Sequence, residues 1–403
     1  MSFQTSTLVE LLRWRVSHSP DKRIYSFLND GEVEKDHLTY AALDLQARAI
    51  AVRLLELTKR GERALLIYPS GLEFIAAFFG CLYSGVIAVP VYPPSAVRVD
   101  RNLSRFRNIA NDARPAVILT TGSLLSKVEG LLALAPELQQ IPVLISGDVP
   151  LDAAEQWQSP RIDGDTLAFL QYTSGSTGMP KGVMVSHSNL LYNSELIARA
   201  CQQPADAHAV TWLPLYHDLG LIGGILQPLY ADYESTILSP AAFLQRPIRW
   251  LQAISNVKAT LSGGPNFAYD LCARKITPEQ KETLDLSSWI AAANGAEPVR
   301  ADTLERFTEA FASCGFKRSA FLPCYGMAEA TLFICGSING APAETFAGEA
   351  LAQNRAVPGE GSDARTLVNT GMPPGEQKLV IVDHETLVQC PPGQIGEIWV
   401  AGP

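Results

Sequence analysis

The sequence predicts an α/β fold of mainly parallel sheets covered by helices, ending in the start of a small β-barrel-like subdomain. Three observations predict it. Short apolar runs alternate with helix-length segments from Ala64 to Ile145, and again from Ala209 to Ala292. Such alternation marks parallel strands joined by helical crossovers. The strands read as continuously apolar, as strands covered on both faces do. Near the carboxyl end, Lys378–Asp383 and Glu397–Val400 are strands with no helix between them, which predicts a small antiparallel or barrel-like unit.

The elements follow in order. Leu8, Leu11, Leu12 and Val16 recur at helical spacing, and Ser19-Pro20 ends that helix. Arg23–Leu28 reads as a strand turned at Asn29-Asp30-Gly31, and Thr39 caps a helix over 40–57 that Gly61 closes. Next come strand 64–68, helix 72–83, strand 86–91, a basic helix 98–113, strand 116–119, helix 124–138 and strand 143–145. The polar, proline-marked segment 147–165 predicts a boundary. Beyond it lie strand 167–170, a helix from near Asn189, and strands at 209–212, 235–238, 259–261 and 289–292, each followed by a helix. The expected parts are residues 1–160, 161–335 and 336–403.

Composition narrows the function. The chain has 403 residues, 47% of them hydrophobic and 18% charged, as expected of a globular protein with two or more domain-sized units. A net charge of -9 argues against a nucleic-acid surface. The 7 cysteines form no CxxC pair and no metal-ligand spacing, and Cys81, Cys201, Cys272 and Cys335 sit in apolar runs. That usage predicts reduced, buried thiols in a cytoplasmic protein. The stretch Leu65–Tyr92 carries one formal charge, Glu73. Pro69-Ser70-Gly71, Gly85 and Pro90 interrupt it, so it reads as strand, helix, strand and not as a membrane insertion.

The chemistry concentrates in Tyr172–Val183. This segment leaves a buried strand, where open α/β sheets place ligands. Gly175, Gly178 and Gly182 let the backbone fold tightly and aim N–H groups at one spot. Thr173, Ser174, Ser176, Thr177 and Lys181 add four hydroxyls and an ammonium. Donors without acidic neighbours suit a polyphosphate. A Ser/Gly linker has similar composition, but linkers rarely sit between buried strands. The spacing is not the G-x-x-x-x-G-K-[ST] of a Walker loop.

Other strand ends carry further candidates. Trp212–Gly220 places His217 and Asp218 before an apolar helix containing Leu219 and Ile222. A histidine there can donate to a carboxylate or phosphoryl oxygen, or simply serve the core. Ser262-Gly263-Gly264-Pro265-Asn266-Phe267 follows a strand and leaves room for a chain-like ligand, or is a helix-entry turn. Asn294-Gly295-Ala296 is a strand-to-helix turn whose backbone can face a flat base. Pro323–Thr331 offers the Tyr325 ring for stacking and Glu329 as a hard oxygen ligand.

The Tyr172–Val183 loop, the His217-Asp218 segment, the Asn294–Glu297 turn and the Tyr325-Gly326-Met327-Ala328-Glu329 segment occur in one order. In this they resemble the adenylate-forming superfamily of acyl-CoA synthetases, adenylation domains and luciferases. His217-Asp218-Leu219-Gly220 and the long segment from Gly336 to Asn369 are most similar to its fatty acyl-AMP ligases. The resemblance implies two stacked, helix-covered sheets and a definite reaction. A medium- or long-chain fatty acid carboxylate attacks the α-phosphate of ATP, giving acyl-adenylate and pyrophosphate, and an acyl carrier protein accepts the acyl group.

The resemblance also implies roles. Thr173, Ser174, Gly175, Ser176, Thr177, Gly178 and Lys181 would bind ATP phosphates. Asn294, Gly295, Ala296, Tyr325, Gly326 and Met327 would hold the adenylate. His217, Lys181 and Glu329 would be catalytic, with Glu329 holding Mg²⁺. Asp218, Leu219, Ile222, Ser262, Gly263, Gly264 and Phe267 would line the acyl pocket. The alternatives are an acyl-CoA ligase and a non-catalytic adenylate-binding module. The family's Thr-Gly-Asp segment and mobile carboxy-terminal domain do not occur in these 403 residues, so the expectation is ligand binding with poor adenylation.

Overall fold

The computed structural model describes residues 5–93, 99–173, 180–336, 338 and 340–403. Helix α1 (Leu8–His18) starts at Thr7, whose hydroxyl accepts the Glu10 N–H at 3.1 Å, and buries Leu8, Val9, Leu11 and Leu12. Strands β1 (Arg23–Asn29) and β2 (Val33–Thr39) form a hairpin. β2 was not expected. Its Glu34-Lys35-Asp36-His37 run is exposed, and charged residues disguise an edge strand while protecting it from stray pairing. Thr39 then caps α2 (Tyr40–Leu57) as predicted.

The apolar stretch resolves into β3 (Arg63–Ile67), α3 (Leu72–Ser84) and β4 (Ile87–Val91). Among the described residues no helix is long and apolar enough to cross a membrane. Next come α4 (Val99–Ala113), β5 (Val117–Thr120), α5 (Leu125–Ala133), β6 (Val143–Ile145), β7 (Leu167–Thr173), β8 (Lys181–Ser186) and α6 (His187–Cys201). The single helix expected over 124–138 is α5 flanked by two short 3-10 turns, because Pro136 lacks the N–H that would continue it. At the start of α6, Ser186 and Asn189 cap reciprocally, N–H to side-chain oxygen, at 3.0 and 3.2 Å.

The later strands are β9 (His208–Thr211), β10 (Glu234–Ile237), β11 (Leu261–Gly264), β12 (Ala291–Asn294), β13 (Phe321–Gly326), β14 (Phe333–Gly336), β15 (Ala343–Phe346), β16 (Arg365–Val368), β17 (Lys378–Val382) and β18 (Glu397–Ala401). Two sit later than expected. The Ser262-Gly263-Gly264 stretch, read as a turn after a strand, is itself β11. Trp289 lies before β12 and is buried, its indole N–H donating to Ala291 O at 3.0 Å. The apolar run continues through this tryptophan, so hydrophobicity alone misplaced the strand.

By internal packing the chain divides into two units, Met1–Ser194 with Thr211–Ala242, and Glu195–Val210 with Phe243–Pro403. In the first, one sheet runs β6-β5-β3-β4-β7-β8, parallel except for the antiparallel β7–β8 pair. β1 pairs with β10 in parallel and with β2 antiparallel. Leu65, Val89, Ile118, Phe106, Ile109 and Val128 pack one side of the six-stranded sheet against α4 and α5. In the second unit, β9, β11, β12 and β13 are parallel and β14 is antiparallel. Its core is an aromatic cluster in which Trp250, Tyr269, Trp289, Phe307 and Phe321 meet mostly edge to face.

The mainly parallel sheets match the prediction. The barrel-like start is an open antiparallel pair, β17–β18, with no closed barrel among the described residues. Residues 336–369, too long for an unstructured loop, hold the β15–β16 hairpin and a short helix, Gly348–Ala352.

Candidate functional site

β7 and β8, which flank the segment read as a phosphate loop, form an antiparallel hairpin at the sheet edge. The base of that segment is the last register pair, Thr173 opposite Lys181, preceded by Tyr172 opposite Gly182. Lys181 is exposed. Ser174, Gly175, Ser176, Thr177 and Gly178 lie outside the described residues. The hairpin geometry was not legible in the sequence, because Lys181–Ser186 alternates little.

In the same unit, Gln171 donates from Nε2 to the Tyr216 carbonyl at 3.2 Å. This bond ties the loop-bearing strand to the segment carrying His217. A cavity of about 320 Å³ opens there, walled by Val91, Phe106, Ile109, Tyr172, Tyr216 and His217 and also touched by Arg105 and Gln171. Tyr216 meets Tyr92 edge to face with centroids 5.2 Å apart. Burial pushes the Tyr216 phenol up to about 12, keeping it a hydrogen-bond donor at neutral pH. Sequence reading missed Arg105, Gln171 and Tyr216. Arg105 carried a signal, the basic face of α4, but nothing in the sequence aimed it at His217.

His217 Nδ1 lies 2.5 Å from Asp218 Oδ1, which also accepts the Leu219 N–H at 2.6 Å. The hydrogen bond to Asp218 raises the imidazole's pKa; burial and Arg105 oppose it. With Nδ1 committed to Asp218, Nε2 is the nitrogen available to a ligand. Asp218 begins a π-helix, Leu219–Leu226, where an ordinary helix was expected. Two of its carbonyls accept side-chain donors, Ile225 O from Tyr25 Oη at 2.7 Å and Gly224 O from Ser235 Oγ at 2.9 Å. π-turns often mark functional sites, and their i→i+5 bonding leaves no trace in an all-apolar sequence. Ile222 is fully buried in the core and Leu219 half-buried.

The second unit gathers the remaining candidates on its strand ends. Asn294 ends β12 at 0% exposure, and both polar atoms of its amide lack a protein partner among the described residues. Leaving a buried polar group unmatched costs about 1–3 kcal/mol. Gly295 follows, and Ala296 has a left-handed φ of 65°, the kind of local strain that collects at ligand sites. On β13, Tyr325 pairs with Cys335 and the register slips before Gly326. A Cβ on Gly326 would lie 1.8 Å from the Leu332 carbonyl oxygen, so only glycine fits this bulge. Met327 is half-buried, and Glu329 is exposed in the turn Ala328–Ala330.

Ser262 is committed elsewhere: its hydroxyl donates to Val210 O at 2.6 Å and accepts the Trp250 indole N–H at 2.8 Å. Gly263 lies against Ala293, where a Cβ would sit 2.5 Å from the carbonyl oxygen, and Gly264 is paired opposite Asn294. Phe267 is 43% exposed and lines a separate cavity of about 210 Å³ with Glu297, Arg300 and Asp302. Among the described residues no three His, Cys, Asp or Glu side chains form a metal cage. A lone Glu329 carboxylate fits Mg²⁺, which binds through one or two carboxylates and completes its shell from phosphates and water.

Mainly parallel, helix-covered sheets with polar candidates at their strand ends form the framework of an α/β ligand-binding enzyme. The AMP-binding enzyme family matches residues 12–403, and this chain belongs to that family. It is 48% identical to the medium-chain-fatty-acid–[acyl-carrier-protein] ligase JamA of Moorena producens, over 99% of this chain and 68% of that protein. It is 34% identical to the corresponding ligase TtuA of Teredinibacter turnerae, over 98% of this chain and 67% of that protein. A fatty acyl-adenylate ligase from L. pneumophila, solved with acyl adenylate and pyrophosphate, superposes with a TM-score of 0.92 at 43% identity. That match covers 99% of this chain and 69% of the solved one.

Proposed function

We propose that this chain activates a fatty acid with ATP, forming acyl-adenylate and pyrophosphate for transfer to an acyl carrier protein. The observation that carries the reading is the Gln171–Tyr216 bond, which joins the loop-bearing strand to the His217 pocket. The substrates of JamA, TtuA and the L. pneumophila ligase support it.

The carboxylate oxygen attacks the α-phosphorus and the bond to the bridging oxygen of pyrophosphate breaks. Charge grows on the non-bridging and leaving oxygens, so positioned donors supply most of the catalysis. Lys181, Thr173 and the loop N–H groups hold the leaving pyrophosphate. His217, oriented by Asp218, donates from Nε2 to the incoming carboxylate. Its raised pKa keeps more of it cationic near neutral pH. Mg²⁺, when bound, would screen the phosphate charge, and Glu329 would be its ligand from this chain. Asn294 and the Gly295-Ala296 turn receive the adenine, with the Tyr325 ring against it. The seven free cysteines support a reducing, cytoplasmic setting.

Calorimetry with ATP and, separately, with a fatty acid tests the reading. Saturable binding of both is expected, with Lys181→Ala weakening ATP and His217→Ala weakening the fatty acid at least tenfold. No saturable heat would favour a non-catalytic module. Mass spectrometry of acylated products after adding CoA or carrier protein separates the CoA-ligase alternative, with acylated carrier expected.

A further inference from the structure

We propose that Tyr172, anchored by Asp112, is a positioning residue that fixes Lys181 for the phosphate tail. The inference rests on the reading that Lys181 holds that tail. β8 lies at the edge of its sheet and, among the described residues, pairs only with β7. An edge strand is held from one side, so its first residues need another restraint if an exposed ammonium is to stay in place.

Tyr172 supplies it. In the register it stands opposite Gly182, the residue after Lys181. Its ring lies on the bare Cα there: a Cβ on Gly182 would meet Tyr172 Cζ at 2.9 Å and Oη at 3.1 Å. An aromatic ring over a cross-strand glycine covers backbone that the glycine leaves unpacked. The ring is itself tethered, because Tyr172 Oη donates to Asp112 Oδ2 at 2.5 Å. Asp112 belongs to α4, which packs against β8. Burial, followed by the Asp112 carboxylate, raises the phenol's pKa, so the proton stays on the oxygen and the tether persists across the working pH range.

The neighbouring residue completes the device. Gln171 reaches Tyr216 O while Tyr172 clamps Gly182, so two consecutive side chains on β7 address the His217 segment and the Lys181 segment. Charge-assisted O–H···O⁻ bonds are short and strong, which suits a tether whose task is to hold geometry.

The test measures ATP dissociation constants and melting temperatures for Tyr172→Phe, Asp112→Asn, the double variant and Lys181→Ala. Tyr172→Phe keeps the ring over Gly182 and loses only the tether. The expected result is a three- to tenfold weaker ATP affinity in each single variant, with melting temperatures close to wild type. The double variant is expected to be no weaker than either single one. If Lys181→Ala weakens ATP binding tenfold while Tyr172→Phe and Asp112→Asn bind as wild type, the positioning role is overturned and the Lys181 reading stands. If Lys181→Ala itself binds ATP normally, the Lys181 reading fails. If the singles weaken binding additively or only in step with melting temperature, the pair is structural and the proposal fails.

Discussion

His217 and Asp218 are sequence neighbours whose side chains face each other, Nδ1 to Oδ1, at 2.5 Å. Asp218 stands at the N-cap of the π-helix, where the same carboxylate accepts the Leu219 N–H. The carboxylate fixes which ring nitrogen looks outward and raises the imidazole's pKa above its usual 6.5. The charged form therefore contributes favourably below 6.5 and that contribution fades as pH rises through the higher folded value. The ring is 55% exposed, so solvent screens its effect on stability, and ligand affinity is the better readout. Fatty acid affinity should fall as pH rises past the His217 pKa. In Asp218→Asn the fall should begin at lower pH. Identical profiles in the two proteins would contradict the pairing.

A second histidine behaves oppositely. His187 is 1% exposed and its Nδ1 accepts the Leu8 N–H at 3.2 Å. Burial lowers its pKa from 6.5 to about 4. Between those values the unfolded chain holds a proton that the folded chain refuses. Stability is therefore fully present above 6.5 and is lost as pH falls toward 4, by about 3 kcal/mol in all. His187→Asn retains an acceptor without the titration. Urea melts at pH 7 and pH 5 should show a smaller loss of stability in that variant than in wild type.

Gly326→Ala should be strongly disruptive. The new methyl would collide with the Leu332 carbonyl at 1.8 Å, and backbone on backbone cannot yield cheaply. A destabilisation of about 1–3 kcal/mol is expected, read from urea midpoints. A wild-type midpoint would mean that the β13–β14 bulge differs from the one described.

Glu329→Gln should separate metal from nucleotide. If the carboxylate serves Mg²⁺, the variant should lose about tenfold in affinity for Mg-ATP and none for ATP in chelator. Equal losses in both conditions would assign Glu329 another role.

Much of the fold was legible because its signals are local. Thr39 announced α2, and the breakers around Leu65–Tyr92 separated β3, α3 and β4 correctly. The shift of β12 was hidden because Trp289, outside the strand, is as apolar as the strand itself. β2 was hidden by its charges. The candidate residues were legible as types, since Lys181, His217 and Glu329 stand beside glycines at strand ends. Their supports were not. Gln171 on Tyr216 O and Tyr172 on Asp112 join residues 45 and 60 positions apart, and Asn294's unmatched amide is visible only once its burial is known.

The most direct measurement is a crystal structure of this chain with ATP and a fatty acid analogue. The account predicts β- and γ-phosphate oxygens within hydrogen-bond reach of Lys181 and the loop before it, with the acid's carboxylate beside His217 Nε2. A triphosphate bound with Lys181 facing solvent, or an acid seated away from His217, would contradict it.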